Sequence, residues 1–418
     1  MFSASHSPIS VPCSATEELA KPRTILILAL LCLVAGLKTV VDFYMKSEGL
    51  TTYVMTDIDT FWLAGWLYWD GRLDDAYRTT TLFAAQATVL DSESFMPYTY
   101  PPQYNFLSVA LGAVPIWISY AIFVPLSFAL YVVAVRNLAP GHLGLVFLLI
   151  FPAILVNVRT GQNGLLVAGL VALAARGIIA PHLRAGFALG LAAIKPHIAI
   201  GIGAAAILTG QWRLAALAIA TCLVTLAAAA AVFGTEMFTL MLSASAEAMG
   251  FLKMGVYPLH RMVSVYAFLR SFGAPAELAL AVQSIFALLT VGGLLFMAYR
   301  RVDRVVLVAA AIVAPLFISP YAYDYDMTLV GVALALLATR LIARARPGQM
   351  TILLGLLWVA TVWGIPTTLI RDSSGLVPTY EDPNIFPSVQ ALLNIATVLF
   401  VARILRQAPT TTEERALA

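Results

Sequence analysis

From about residue 24 to residue 406 the chain is a succession of apolar runs, broken at short intervals by arginine, proline and glycine. A helix needs about 20 apolar residues to cross hydrocarbon, and the runs supply roughly twelve candidates. The first is Thr24–Val41; the others lie near 118–136, 142–157, 163–178, 184–194, 197–210, 213–233, 276–298, 305–319, 327–343, 350–370 and 388–406. A soluble domain is about 25 % charged, whereas this chain of 418 residues is 11 % charged and 61 % apolar. Water cannot be its main solvent. The pattern predicts an all-α polytopic membrane protein, with one transmembrane domain at 24–406 between cytoplasmic tails at 1–23 and 407–418. About twenty polar residues precede the first run and no small-residue cleavage site follows it, so that run reads as an anchor rather than a signal peptide.

Two places break the rhythm. The segment from Asp42 to Tyr104 is mostly polar, and Phe106–Pro115 is apolar but too short to cross. Together they predict a first outer loop at 42–117 carrying juxtamembrane helices: an amphipathic one at Asp57–Trp69, and an interfacial or re-entrant one at Phe106–Pro115. The runs 184–194 and 197–210 are short, with Lys195-Pro196 between them. They predict a helical hairpin that dips into the protein with Lys195 at its apex.

Charge fixes the orientation. With the N-terminus in the cytoplasm, that side receives fifteen of the 25 basic residues and only five of the 22 acids. This is the asymmetry the positive-inside rule requires. The net charge of +3 and the lack of a basic, aromatic-interleaved stretch argue against nucleic acid as a partner. Cys13, Cys32 and Cys222 have neither disulfide-framework nor metal-ligand spacing. No metal and no cofactor are expected.

On this topology the unusual polar residues fall on one face. They are Asp57 and Asp59 in the first outer loop; Arg159-Thr160-Gly161-Gln162-Asn163 after one span; Lys195-Pro196-His197 at the hairpin apex; Lys253, His260 and Arg261 in the loop before Ala276; and Ser319-Pro320-Tyr321-Ala322-Tyr323-Asp324-Tyr325-Asp326 after another span. Polar groups at membrane depth are costly and point to function. Each group also fits a plain structural duty. Asp57 and Asp59 suit a helix start, Lys195 can snorkel, and Gln162-Asn163 and Asp324 with Asp326 suit caps and turns. The acidic outer segment Arg371–Pro387 has no assignable chemistry.

Several of these runs resemble a known family. Asp57-Ile58-Asp59-Thr60-Phe61-Trp62-Leu63-Ala64-Gly65 resembles the first-loop signature of glycosyltransferase family 87, and Tyr100-Pro101-Pro102 resembles the Tyr-Pro-Pro that opens a juxtamembrane helix in C-type glycosyltransferases. Gly161-Gln162-Asn163, Lys195-Pro196, Ser319-Pro320-Tyr321 and Tyr323-Asp324-Tyr325-Asp326 look like the family's later landmarks in the same order, over roughly residues 24–340. The chain departs at His197, where members often have Gln, and its second acid, Asp59, leaves the assignment of the base open.

The resemblance implies a C-type glycosyltransferase fold and transfer of a hexose, most often mannose, from a polyprenyl-phosphate sugar to an extracytoplasmic glycolipid or glycan. The expected setting is a bacterial inner membrane with the site facing the periplasm. Asp57, with Asp59 as second choice, would take the acceptor's proton. Lys195, Arg159, His260 or Arg261 would stabilise the departing phosphate. Gln162, Asn163, His197, Tyr323, Asp324 and Asp326 would shape the sugar and acceptor pocket. A single displacement then inverts the anomeric carbon. The competing class is a lipid-linked sugar flippase or small-solute transporter. Carriers often place interrupted helices correspondingly in both halves, and the long first loop has no counterpart in the second half. A non-catalytic scaffold of an envelope assembly is the third reading.

Overall fold

A computed structural model of the protein describes residues 22–47, 55–92, 96–367, 370 and 386–409. The expected tail up to residue 21, Cys13, the chain beyond 409 and most of the outer segment 371–387 lie outside the described residues. After the first helix, α1 (Pro22–Ser47), come three helices of the segment expected as a loop at 42–117: α2 (Asp57–Trp69), α3 (Thr79–Leu90) and α4 (Asn105–Gly112). The bundle continues as α5 (Ile116–Leu138), α6 (Leu143–Thr160), α7 (Gly164–Ile179), α8 (Ala185–Leu191), α9 (Pro196–Leu208) and α10 (Trp212–Phe233). It closes with α11 (Glu236–Met254), α12 (Val265–Ser271), α13 (Ala276–Tyr299), α14 (Arg304–Ile318), α15 (Thr328–Arg344), α16 (Gln349–Val362) and α17 (Gln390–Leu405).

Among the described residues there is no strand, only an isolated bridge between Met262 and Tyr323. Among the described residues, seven helices are long and apolar enough to cross a membrane, and five more are apolar helices of 10–17 residues. The protein is therefore an all-helical, multi-pass membrane protein. In hydrocarbon a helix satisfies its own backbone, which is why apolar runs fold this way. Burial sorts the helices. Leu143–Thr160 and Asp324–Arg344 are 72 % and 78 % buried, whereas Trp212–Phe233 and Ala276–Tyr299 are each 17 % buried. The first two form the centre; the last two present their sides to lipid.

In this segment α2 and α4 cross at glycines. A Cβ on Gly65 would lie 1.7 Å from the Ser108 carbonyl oxygen, and one on Gly112 would lie 2.2 Å from Gly65 backbone, so no side chain fits at either position. Two indoles lock the crossing: Trp62 donates to the Val114 carbonyl at 2.8 Å and Trp69 to the Val109 carbonyl at 3.0 Å. The short apolar stretch at 106–115 is thus a helix clamped to α2.

The hairpin around Lys195 can be read from its contacts. Gly186 of α8 approaches Leu214 and Leu217 of α10, and Gly190 approaches Ala218 and Thr221. Both positions advance together, so α8 and α10 run in the same direction and α9 between them runs back. The turn at Lys195-Pro196 is the tip. A proline at the first helical position of α9 suits a helix start, where its missing N–H costs nothing.

One expectation is corrected. The sequence reading leaves 234–275 as loop, but it holds α11 and α12. Glu236, Glu247 and Lys253 lower the hydropathy of α11, yet Met237, Ala244, Ala248 and Leu252 form one buried stripe along it. Lys253 belongs to its last turn and is exposed.

Candidate functional site

The site begins where α2 meets the turn between α6 and α7. Gly161 ends α6 in the left-handed region, with φ of +62°, and a Cβ there would lie 2.6 Å from the Cβ of Ile58. Glycine therefore lets the first turn of α2 rest on the α6–α7 turn, which brings Asp57 beside Thr160. Asp57 is half-buried. Its Oδ2 and the Thr160 hydroxyl are both enclosed without a well-formed hydrogen bond among the described residues.

Burial pushes the Asp57 carboxyl above the ordinary carboxylate range. Arg261, the Thr160 hydroxyl and Lys195 pull it down, and Asp324 pushes it up. Asp57 thus shares one electrostatic environment with residues from four distant stretches of chain.

Both cations are tethered. Arg261 donates from Nε and Nη2 to the two oxygens of Asp324, at 3.1 and 3.0 Å. Lys195 donates to Asp326 at 2.9 Å and lies 4.6 Å above the Tyr325 ring, which stacks on Tyr323 at 5.2 Å. Both acids start the most buried helix, just before Thr328. That start is held firmly: Asn157 donates to the Tyr325 carbonyl at 2.9 Å, and Thr328 to the Gly164 carbonyl at 3.2 Å. Arg261 is brought up by the pairing of 262–264 with 320–323, where the Val263 amide donates to Ala322 at 2.8 Å. Three carboxylates face two cations, and Asp57 is the one without a direct ion pair in this group.

A second wall is aromatic. Tyr100 and Tyr104 stack at 4.2 Å, with the edge of Phe61 on both rings at 5.2 Å. Their hydroxyls meet the α6–α7 turn: Tyr100 donates to Gln162 at 3.2 Å, and Asn163 donates to Tyr104 at 3.1 Å.

Of the remaining candidates, His197 stays within electrostatic reach of Lys195 and Asp326, and the others lie elsewhere. Asp59 is fully buried and closes a capping box on α2, where its carboxylate accepts from the Thr56 amide at 2.7 Å and the Thr56 hydroxyl at 3.0 Å. Burial pushes it up to about 7, against the opposing pull of Lys46 and the Thr56 amide. Arg159 is exposed, with no ion pair among the described residues. His197 is exposed one residue past the proline of the apex. The His260 ring is buried beside Phe386, and its carbonyl accepts from Gln390 at 2.6 Å. Among the described residues no group of three or more His, Cys, Asp or Glu is arranged to hold a metal ion.

Sequence reasoning places Thr160 in a polar group without giving it a role, and does not single out Asn157 or Gly364. Asn157 is a lone amide at the end of an apolar run, a signal that membrane burial makes readable. Gly364 has no such signal, yet a Cβ there would lie 2.7 Å from Asp324 Oδ2 and 3.1 Å from Arg261 Cγ. Only glycine leaves room for that ion pair.

No curated protein and no solved structure matches the chain. Its sequence does match a family model over residues 98–322, a little over half of its length. That segment contains the Tyr100–Tyr104 wall, the α6–α7 turn, the Lys195 apex and Arg261, and it ends just before Asp324. The chain belongs to glycosyltransferase family 87.

Proposed function

We propose that this protein moves a hexose, mannose foremost, from a polyprenyl-phosphate donor to an extracytoplasmic glycolipid or glycan. The reading includes a C-type glycosyltransferase fold with twelve crossings, a bacterial inner membrane and a site facing the periplasm. The arginine distribution supports that orientation. The observation that carries the reaction is Asp57: a carboxylate with an enclosed oxygen that makes no well-formed hydrogen bond among the described residues, under the electrostatic influence of two cations that each keep an anionic tether.

In the proposed step the acceptor hydroxyl gives its proton to Asp57 as its oxygen bonds to the anomeric carbon. The bond from that carbon to the phosphate oxygen breaks, and the polyprenyl phosphate leaves with the electron pair. Attack opposite the leaving group inverts the anomeric centre. Arg261 keeps Nη1 outside its pair with Asp324, so it can reach a phosphate oxygen without releasing its tether. Lys195 adds positive charge from the apex. A phosphate leaves without a general acid, so one carboxylate base suffices, unlike the two-carboxylate arrangement of glycosidases. Tyr100, half-buried and backed by the fully buried Tyr104, is the ring available to a sugar, with the Gln162 amide at its hydroxyl. Asp59, occupied as a cap, serves the helix that carries Asp57.

The test is transfer by the purified protein in liposomes supplied with polyprenyl-phosphate mannose and a glycolipid acceptor. A new glycosidic product is expected, and Asp57→Asn should lower its rate by about 10²–10⁴, the range of a lost general base. Undiminished transfer by that variant removes Asp57 from the mechanism. Movement of the lipid across the bilayer without product would favour a flippase instead.

A further inference from the structure

A second concave site lies at the other end of the bundle. A cavity of about 460 Å³ opens between the ends of α5, α7 and α8, with Asn137, Arg176, His182 and Arg184 on its polar side. Leu173 and Ala188 line its apolar side, and no carboxylate among the described residues lines it. It is separate from the Asp57 cluster. Helix α7 starts beside Asn163, and Arg176 follows Gly164 twelve residues later, about 18 Å along a helix rising 1.5 Å per residue.

The chain builds this cavity through close packing. A Cβ on Gly177 would lie 2.0 Å from the Cβ of Ala185, so the turn from α7 to α8 closes tightly. The His182 amide donates across it to the Gly177 carbonyl at 3.3 Å. Arg176 and Arg184 flank those two contact residues and so share one rim. Neither arginine has an ion pair among the described residues, whereas Arg340 is paired with Asp303 at 2.6 Å. Membrane topology alone asks for positive charge at this end of the helices. It does not ask for a cavity between the charges, or for a lining free of acids.

We propose that this cavity binds the phosphate of an anionic membrane phospholipid. Two guanidinium forks match phosphate oxygens, and basic pockets between helix ends at the bilayer surface take anionic headgroups. The apolar half distinguishes a lipid from free phosphate. Leu173 and Ala188 continue the cavity toward hydrocarbon, and Leu183 and Phe187 beside it are 54 % and 52 % exposed, a surface for acyl chain. The proposal does not depend on the transfer reaction.

The experiment measures phosphatidylglycerol retained by the full-length protein in native mass spectrometry, against phosphatidylcholine and against added inorganic phosphate. The protein should retain phosphatidylglycerol selectively. Each arginine near a membrane surface is worth about five-fold in affinity, so Arg184→Gln should weaken retention about five-fold and Arg176→Gln/Arg184→Gln on the order of 25-fold. Arg176→Lys/Arg184→Lys keeps the charge and loses the forks, so it should weaken retention, but less than the glutamine pair does. Equal retention of the two lipids overturns the proposal, as does unchanged affinity in Arg184→Gln. Displacement of the lipid by comparable concentrations of inorganic phosphate overturns the lipid assignment. If the double glutamine variant does not insert, the single variant and the lysine pair still decide the matter.

Discussion

Lys195 and Asp326 offer a way to separate holding the fold from helping the reaction. Their side chains are 7 % and 4 % exposed, and nitrogen and oxygen lie 2.9 Å apart. Removing one member of such a pair strands the other charge and costs about 3–5 kcal/mol, whereas replacing both with apolar side chains is often neutral. In Asp326→Asn the ammonium keeps its place over Tyr325, 4.6 Å from the ring centre, so the loss should fall near the lower end, about 3 kcal/mol. In Lys195→Met the Asp326 carboxylate keeps, among the described residues, the hydrogen bond from the Tyr323 amide at 3.3 Å, and the loss should reach about 4 kcal/mol. Lys195→Met/Asp326→Leu should unfold close to the parent temperature. Its activity should not return. A lost donor at a developing negative charge costs about 10²–10³ in rate, and the double variant should remain that far down at saturating donor. Thermal unfolding in detergent and initial-rate transfer in liposomes read the two quantities. A double variant that regains both stability and rate would show that Lys195 only supports the fold.

Other outcomes follow from the same geometry. The raised Asp57 keeps its proton to higher pH than an ordinary carboxyl, and the protonated form is no base. The acid limb of the kcat/KM profile should therefore sit above the usual carboxylate range, with rate rising as pH rises through it; a limb at the unperturbed position would refute the assignment. Asp59→Asn removes a capping carboxylate and should cost about 0.5–2 kcal/mol in unfolding, with kcat within a few-fold of the parent; a loss like that of Asp57→Asn would make Asp59 the base. Transfer should proceed in the presence of a chelator, and collapse that a divalent ion reverses would overturn that expectation.

The sequence carries the helical membrane architecture because hydropathy is a local property, summed over consecutive residues. It also carries the helix at Asp57–Trp69, since its polar start and apolar body are adjacent. The amphipathic α11 escapes notice because Glu236, Glu247 and Lys253 interrupt its hydropathy while its stripe of Met237, Ala244, Ala248 and Leu252 stays buried. The two acids of α2 look alike in sequence, and only the fold separates them: one is spent on the Thr56 amide, the other is turned toward Thr160. Partnerships are the least legible. Lys195 meets Asp326 across 131 residues of chain and Arg261 meets Asp324 across 63, distances over which composition and spacing say nothing. Gly364 is silent for the same reason, since its importance lies in atoms it makes room for.

The parallel seating of α8 on α10 has a consequence for how deep the ammonium of Lys195 is held. Gly186 and Gly190 bring backbone against backbone and β-carbon, so α8 cannot slide along its neighbour without collision. A rigid stem of this kind sets the height of its tip above the bilayer midplane, much as a gauge block sets a cutting tool. The headgroup of a lipid also rides at a height its membrane dictates. Two residues with no side chain therefore govern whether those two levels coincide.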